Sequence, residues 1–260
     1  MSLPTHKNND KKSSVIWITG ASRGIGRALS LELAQAGHTI IASARNQKQL
    51  TELCLCAKNL TGQIRDFPLD VTDPQSVNKA IHSIIRQYGA IDTAILNAGI
   101  SIMMHGTHFN TGIVQKHFDL NVMGVSHCLA PLIAHMKEKR SGLIAINASV
   151  AGYRGLPNAG AYCATKAALI SLAETLYIDL QSVGISVKVI NPGFVKTPLT
   201  DKNTFPMPFL MSAEKAAKII AKGLQKKRFE IRFPYFFSTC LKLLRLLPYR
   251  IYFMLIKKIA

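Results

Sequence analysis

Three residues in the second half of the chain have the types and spacing for proton chemistry. Tyr162 and Lys166 stand four apart, which stacks two side chains on one face of a helix, and Ser149 lies thirteen residues before the tyrosine. A phenol titrates near 10, so working near neutrality requires about 4 kcal/mol of preference for the phenolate. A protonated amine about 4 Å away supplies roughly that much at an effective dielectric near 20. Tyr162 then gives a proton to a carbonyl oxygen during reduction, or takes one from an alcohol during oxidation. Ser149 hydrogen-bonds the oxygen on which charge develops. A tyrosine and lysine at this spacing are common in purely structural roles, so the serine and a second motif carry the weight.

That second motif is Thr19-Gly20-Ala21-Ser22-Arg23-Gly24-Ile25-Gly26, which follows an apolar run and opens a helical pattern. Glycines let the backbone turn sharply and approach a pyrophosphate, and the last lets helix and strand pack without a Cβ between them. The helix that follows offers unpaired N–H groups and its positive dipole end to the anion. About 20 residues further on, an acid would bind the ribose 2′-OH of NAD. Ser43-Ala44-Arg45-Asn46 stands there instead. Arg45 and Arg23 suit a 2′-phosphate, so NADP(H) is expected in preference to NAD(H).

These residues need a scaffold that brings the glycines beside Tyr162. Apolar runs of strand length recur at 15–19, 39–43, 64–69, 91–96, 143–147 and 185–191, with a late one at 229–233. Stretches of 3.6-residue periodicity lie between them, among them 24–36, 74–88 and 161–183. The runs are continuous rather than alternating, so both sheet faces are covered. The alternation predicts an α/β fold: a doubly wound, Rossmann-type parallel sheet with helices on both faces. Ser149 then sits at the C-terminal end of the fifth strand, where open α/β sheets hold ligands. No Pro-, Gly- or Ser-rich linker divides the chain, so a single domain over 15–233 is expected, between a polar extension, 1–14, and a basic amphipathic tail, 234–260.

Taken in order, the motifs resemble the short-chain dehydrogenase/reductase family from about residue 15 to 200. Its TGxxxGxG is met by Thr19, Gly20, Gly24 and Gly26, its acidic residue after the third strand by Asp70 in Asp70-Val71, and its NAG motif by Asn97-Ala98-Gly99. The resemblance implies that Gly20, Ser22, Arg23, Gly24, Ile25, Gly26, Arg45, Asp70, Val71, Asn97, Ala98 and Gly99 line the cofactor. Pro192, Gly193, Val195 and Thr197 correspond to the loop that in relatives holds the nicotinamide carboxamide. The family's catalytic Asn, Ser, Tyr and Lys fall on Asn121, Ser149, Tyr162 and Lys166. In relatives the tyrosine and lysine also contact the cofactor, and the asparagine helps hold a water in a proton relay. The implied activity is NADP(H)-dependent hydride transfer between a carbonyl and an alcohol. Relatives often form dimers or tetramers on two long helices, here 111–139 and 161–183, so a homo-oligomer is expected.

Composition narrows the partners. With 260 residues, 48% of them apolar, the chain has material for a core and is neither disordered nor fibrous. No uncharged apolar run nears the roughly 20 residues of a membrane-spanning helix, and 1–14 shows no secretory pattern. Five cysteines without CxxC spacing fit reduced thiols, so a cytoplasmic protein without a metal site is expected. The eight histidines show no ligand pattern.

The net charge is +18, and residues 226–260 hold nine Lys and Arg against one acid, Glu230. No Arg- and aromatic-rich stripe of a nucleic-acid reader is present, so the expected partner is an acidic surface rather than nucleic acid. Wound at about 100° per residue, Phe236, Cys240, Leu243, Leu244 and Leu247 share a face opposite Lys242 and Arg245. Pro248 then separates a second apolar segment, 249–256. This fits a peripheral helix on an anionic membrane, or equally packing on the core or on a second subunit. Residues 194–211 carry Phe205, Met207, Phe209, Leu210 and Met211, an apolar lid for a lipophilic ketone or aldehyde. Two alternatives stand beside that substrate: a 3-oxoacyl thioester on a carrier protein, and a membrane-attached nucleotide-sensing module.

Overall fold

A computed structural model describes residues 13–203 and 205–257. The expected extension 1–14, apart from Ser13 and Ser14, and Lys258 in the tail lie outside the described residues. Strands β1 (Val15–Thr19), β2 (Thr39–Ser43), β3 (Gln63–Asp66), β4 (Thr93–Leu96), β5 (Gly142–Asn147), β6 (Ile185–Pro192) and β7 (Glu230–Phe233) pair in parallel in the order β3-β2-β1-β4-β5-β6-β7. The chain moves outward from β1 to β3 and then crosses to β4 on the other side of β1. The crevice beyond the strand ends at that reversal is where such sheets bind ligands.

Alternate side chains feed two cores. Trp17, Ile41, Leu96 and Ile146 point to one face, and Ile18, Ile40, Ile95 and Ile190 to the other. Helices α1 (Gly24–Gln35), α2 (Gln47–Cys56), α3 (Pro74–Tyr88), α4 (Thr111–His117), α5 (Gly124–Lys139), α6 (Gly160–Asp179) and α7 (Ala213–Leu224) follow, then α8 (Tyr235–Leu246) and α9 (Tyr249–Ile256). Apolar stripes of α3, α5 and α6 cover the first face, and those of α1, α2 and α7 the second. Local chemistry sets the ends: Asp73 accepts from the N–H groups of Gln75 and Ser76 at the start of α3, with Pro74 at its first position.

The expected strand 64–69 is regular only to Asp66, ahead of Pro68. Phe67 and Leu69 on either side still donate to the carbonyls of Ala42 and Ala44, at 2.9 and 3.0 Å. The helix expected over 111–139 is interrupted by a π-helical stretch, Phe118–Met123, which carries Asn121. That of 161–183 ends at Asp179, and a 3-10 turn closes on Gly184 at φ 79°.

The tail docks in a register other than the expected one. Phe237 and Leu241 pack on the first core, while Phe236 and Leu243 face outward, 69% and 58% exposed. Polar anchors fix the face by which α8 packs. Lys242 donates to Glu230 on β7, and the Arg154 guanidinium donates to the carbonyls of Leu244, Arg245 and Leu247, the last at 2.9 Å. These carbonyls lie at the end of α8, and that of Leu244 also accepts from Leu247 N–H at 3.3 Å. Arg154 also lies 3.9 Å from the ring centre of Tyr252, whose hydroxyl donates to the Gly155 carbonyl.

Candidate active site

Ser149, Tyr162 and Lys166 meet at the C-terminal ends of β5 and β6. Ser149 caps the turn after β5: its Oγ accepts from Ala151 N–H at 3.1 Å and lies 3.4 Å from the Pro192 carbonyl. Lys166 is buried one turn of α6 beyond Tyr162, its Nζ 5.6 Å from the centre of the tyrosine ring. The ammonium donates to the Asn147 carbonyl at 2.8 Å. Burial lowers its pKa to about 8, so it stays mostly protonated at neutral pH.

The phenol differs from the expected near-neutral acid. Its edge opens on a cleft whose walls otherwise surround it, and this burial pushes its pKa up to about 12, with the Ser149 hydroxyl pulling the other way. Desolvation is the largest influence on the phenol, and Lys166 spends its hydrogen bond on the Asn147 carbonyl rather than on the phenol oxygen. Tyr162 is therefore a protonated donor at pH 7.

Asn121 is fully buried, and the π-helical stretch aims it across the site. Its Oδ1 accepts from Ile100 N–H at 2.8 Å, while its Nδ2 donates to the Ile100 carbonyl and to Thr165 Oγ1 at 3.0 and 3.1 Å. Thr165 in turn donates to the Tyr162 carbonyl, so one amide ties the β4 loop to α6. Gly99 keeps this junction open: a Cβ there would stand 3.2 Å from Asn121 Oδ1 and 3.7 Å from Lys166 Nζ.

The glycine turn forms the other end. Gly20 sits at φ 66°, and a Cβ on Gly26 would meet the Gly20 carbonyl oxygen at 2.3 Å. Asn97 holds the turn, donating from Nδ2 to the carbonyls of Thr19 and Gly20 at 3.1 Å each and accepting from Asn147 at 2.8 Å. No side chain caps α1, and Gly24 and Ile25 at its start line the cleft, so its first N–H groups are left for an anion. Ser22, Arg23, Ala98 and Val71 line the same cleft. Arg45 follows β2 with its Nη1 3.9 Å from Asp70, both partly exposed. Asp70 also accepts from the N–H and hydroxyl of Thr72 at 3.0 and 2.8 Å. Pro192, Gly193 and Val195 run along the opposite lip, and Thr197 reaches back so that its Cγ2 would lie 3.0 Å from a Cβ on Gly24. Of the expected site residues, all but Gly26 and Asn121 border one cleft of about 1190 Å³, apolar at its far end. Glycines that a Cβ would obstruct, an uncapped helix and an arginine past β2 fit a phosphate-bearing dinucleotide.

The sequence profile of the short chain dehydrogenase family matches residues 14–206. The chain belongs to this family of oxidoreductases. An uncharacterized oxidoreductase of Myxococcus xanthus is 34% identical to this chain over 231 residues, 89% of this chain and 91% of that protein. The 3-oxoacyl-(acyl-carrier-protein) reductase of Thermotoga maritima is 32% identical over 191 residues, 74% of this chain and 78% of its own length. A short chain dehydrogenase/reductase from Burkholderia phymatum in complex with NAD superposes with a TM-score of 0.82 at 23% identity, covering 89% of this chain and 92% of its own.

The site has residues that the sequence did not single out. His117 is fully buried with its ring 6.5 Å from that of Tyr162, edge to face. Its Nε2 accepts from Ile102 N–H at 3.0 Å and its Nδ1 lies 2.8 Å from the Ile113 carbonyl, so the ring is held as a prop for the tyrosine wall. Nothing in its spacing marked it out from the other histidines. Behind Ser149, Glu230 accepts from Tyr153 and from Asn191, the latter at 2.7 Å, and pairs with Lys242. Burial works against its charge, but hydrogen bonds from Lys242, Tyr153 and Asn191 outweigh it and hold the carboxyl below the usual range. Its signal was legible: it is the lone acid in a strongly basic segment. Phe237, Leu241, Leu244 and Ile256 complete the far wall, so the tail is part of the cleft.

Proposed function

We propose that the protein is an NADP(H)-dependent reductase of lipophilic ketones or aldehydes, with Tyr162 as the proton donor. The observation that carries this is the position of the Tyr162 phenol. It lies beside Ser149 on a cleft that runs from the Gly20 turn to a wall of Phe205, Phe237 and Leu241. A nicotinamide dinucleotide bound along the glycine turn supplies the hydride. The chain does the rest. Ser149 Oγ turns from the Pro192 carbonyl to the substrate oxygen, Tyr162 protonates that oxygen, and the Lys166 ammonium steadies the phenolate left behind. Asn121 fixes Ile100 and α6 so that these groups keep their spacing. An NADPH-oxidation screen over carbonyl compounds of increasing chain length tests the reading. Turnover that rises with apolar length supports it, and no turnover of any carbonyl despite tight NADPH binding overturns it.

The choice of NADPH rests on Arg45 and the missing acid after β2. Charge-assisted hydrogen bonds of about 1.5–3 kcal/mol make Arg45→Ala lower kcat/KM for NADPH by roughly 10- to 100-fold while leaving NADH unchanged. Equal losses with both cofactors would contradict a 2′-phosphate contact. A second reading, reduction of a 3-oxoacyl thioester on an acidic carrier protein, draws on the Thermotoga relative and on the charge of +18. Salt-sensitive turnover of carrier-bound but not free substrates would select it.

A further inference from the structure

The two C-terminal helices have two apolar sides. Their inner side lines the cleft through Phe237, Leu241, Leu244 and Ile256. On the outer side Phe236, Leu243, Leu246, Tyr249, Phe253 and Met254 are each between 52% and 79% exposed. The lid segment extends this face: Phe209, 56% exposed, has its ring 6.1 Å from that of Phe236 and 6.0 Å from that of Phe237. Phe209 is held at φ 58°, a backbone state that bulky residues seldom adopt, and the fold thereby keeps a large ring on the surface. Contiguous exposed apolar surface of this kind marks a docking site.

Charge identifies the occupant. Arg245, Arg250 and Lys257 are exposed on the same helices, Lys196 and Lys202 on the lid segment, and no Asp or Glu follows Glu230 in the sequence. A second copy of this chain would bring these cations against their equivalents about a two-fold axis, with Asp201 beside Lys202 the one acid in 194–211 and 234–260 to meet them. An anionic lipid surface meets them all, with long Lys and Arg side chains reaching the headgroups while the apolar face enters the acyl boundary. Among the described residues no helix is long and apolar enough to cross a membrane. The helices can lie on a bilayer but not span it.

We propose that α8, α9 and the Phe209 segment seat the protein on an anionic bilayer. Since the opposite side of the same helices walls the cleft, a lipophilic substrate passes from the lipid into the site between tail and lid. The passage rests on the reductase reading. The seating does not, and is tested without turnover. The full chain is floated with vesicles of mixed phosphatidylglycerol and phosphatidylcholine, and with phosphatidylcholine alone. Association with the anionic vesicles is expected, falling about tenfold with phosphatidylcholine or in roughly 0.5 M salt, where screening shortens to about 4 Å.

The variant Leu243→Glu/Leu246→Glu/Phe253→Glu alters only exposed side chains. It should float at least about tenfold less while keeping its thermal unfolding midpoint and NADPH affinity. A full chain that stays in the soluble fraction with anionic vesicles overturns the proposal, as does a variant that floats equally well. A variant that instead breaks an oligomer seen by size exclusion assigns the face to a second copy. Carbonyl turnover measured in parallel separates loss of seating from failure of the reductase reading.

Discussion

Tyr162→Phe is expected to lower kcat for carbonyl reduction by about a hundred- to ten-thousandfold, the usual contribution of a positioned general acid. The substitution removes one oxygen and leaves the ring, which keeps its edge against His117 and its place on α6. NADPH affinity should therefore change by no more than about threefold, since the glycine turn and Arg45 lie at the other end of the cleft. The size of the loss follows from what surrounds the phenol. It is the acidic group beside Ser149, and with a pKa near 12 it is fully protonated at neutral pH. Once a hydride has reached the carbonyl carbon, an alkoxide needs that proton, and the hydroxyl of Ser149 is a far weaker acid. Stopped-flow measurement of NADPH oxidation with a saturating ketone checks the effect. A phenylalanine variant that turns over within tenfold of the parent would remove Tyr162 from the chemistry.

Gly26→Ala should act on binding and stability together. The added Cβ would stand 2.3 Å from the Gly20 carbonyl oxygen and 2.7 Å from Asn97 Nδ2, well inside van der Waals contact. Neither neighbour is free to move. Gly20 is already in the left-handed region at φ 66°, and Asn97 is tied to Thr19, Gly20 and Asn147. Either α1 shifts away from β1 or the turn opens, and in both cases the N–H groups at the start of α1 lose their alignment. Overpacking of this kind costs about 1–3 kcal/mol, which for a domain of this size lowers Tm by roughly 2–12 °C. Calorimetric titration with NADPH should show affinity reduced by about a hundredfold or more. Gly106→Ala is the matched control, since nothing lies within 4 Å of the place its Cβ would take. Equal affinity for NADPH in the Gly26 variant would mean that the turn does not cradle the pyrophosphate.

Most of the scaffold was readable because a buried parallel sheet leaves a strong trace. Continuous apolar runs such as Val15–Thr19 and Thr39–Ser43 cannot face water on either side, and the glycine turn is a local geometric demand. Edge strand β3 read less well, because three of its four residues, Gln63, Arg65 and Asp66, are exposed and only its pairing with β2 defines it. The π-helical stretch around Asn121 had no trace, since an extra residue in a helical turn leaves the apolar spacing almost intact. Tail packing was the hardest part. Spacing gives the tail an apolar face but not what that face meets, and Glu230, Arg154 and Gly155, which hold the tail on the core, lie on other elements. The electrostatics of Tyr162 read correctly as to partners but not as to sign. Spacing shows that an amine is near, whereas burial and the Asn147 carbonyl that occupies the amine appear only in three dimensions.

The pH dependence of kcat/KM in both directions tests most directly whether Tyr162 is a protonated acid steadied by a cationic lysine. With Tyr162 near 12 and Lys166 near 8 in the free protein, carbonyl reduction should be level from about pH 6 to 7.5 and decline above about 8 as the ammonium is lost. Alcohol oxidation needs the deprotonated phenol and should rise over the same lower range, by up to about tenfold per pH unit. Oxidation that is level or falling between pH 6 and 7.5, or reduction already declining there, would contradict the account.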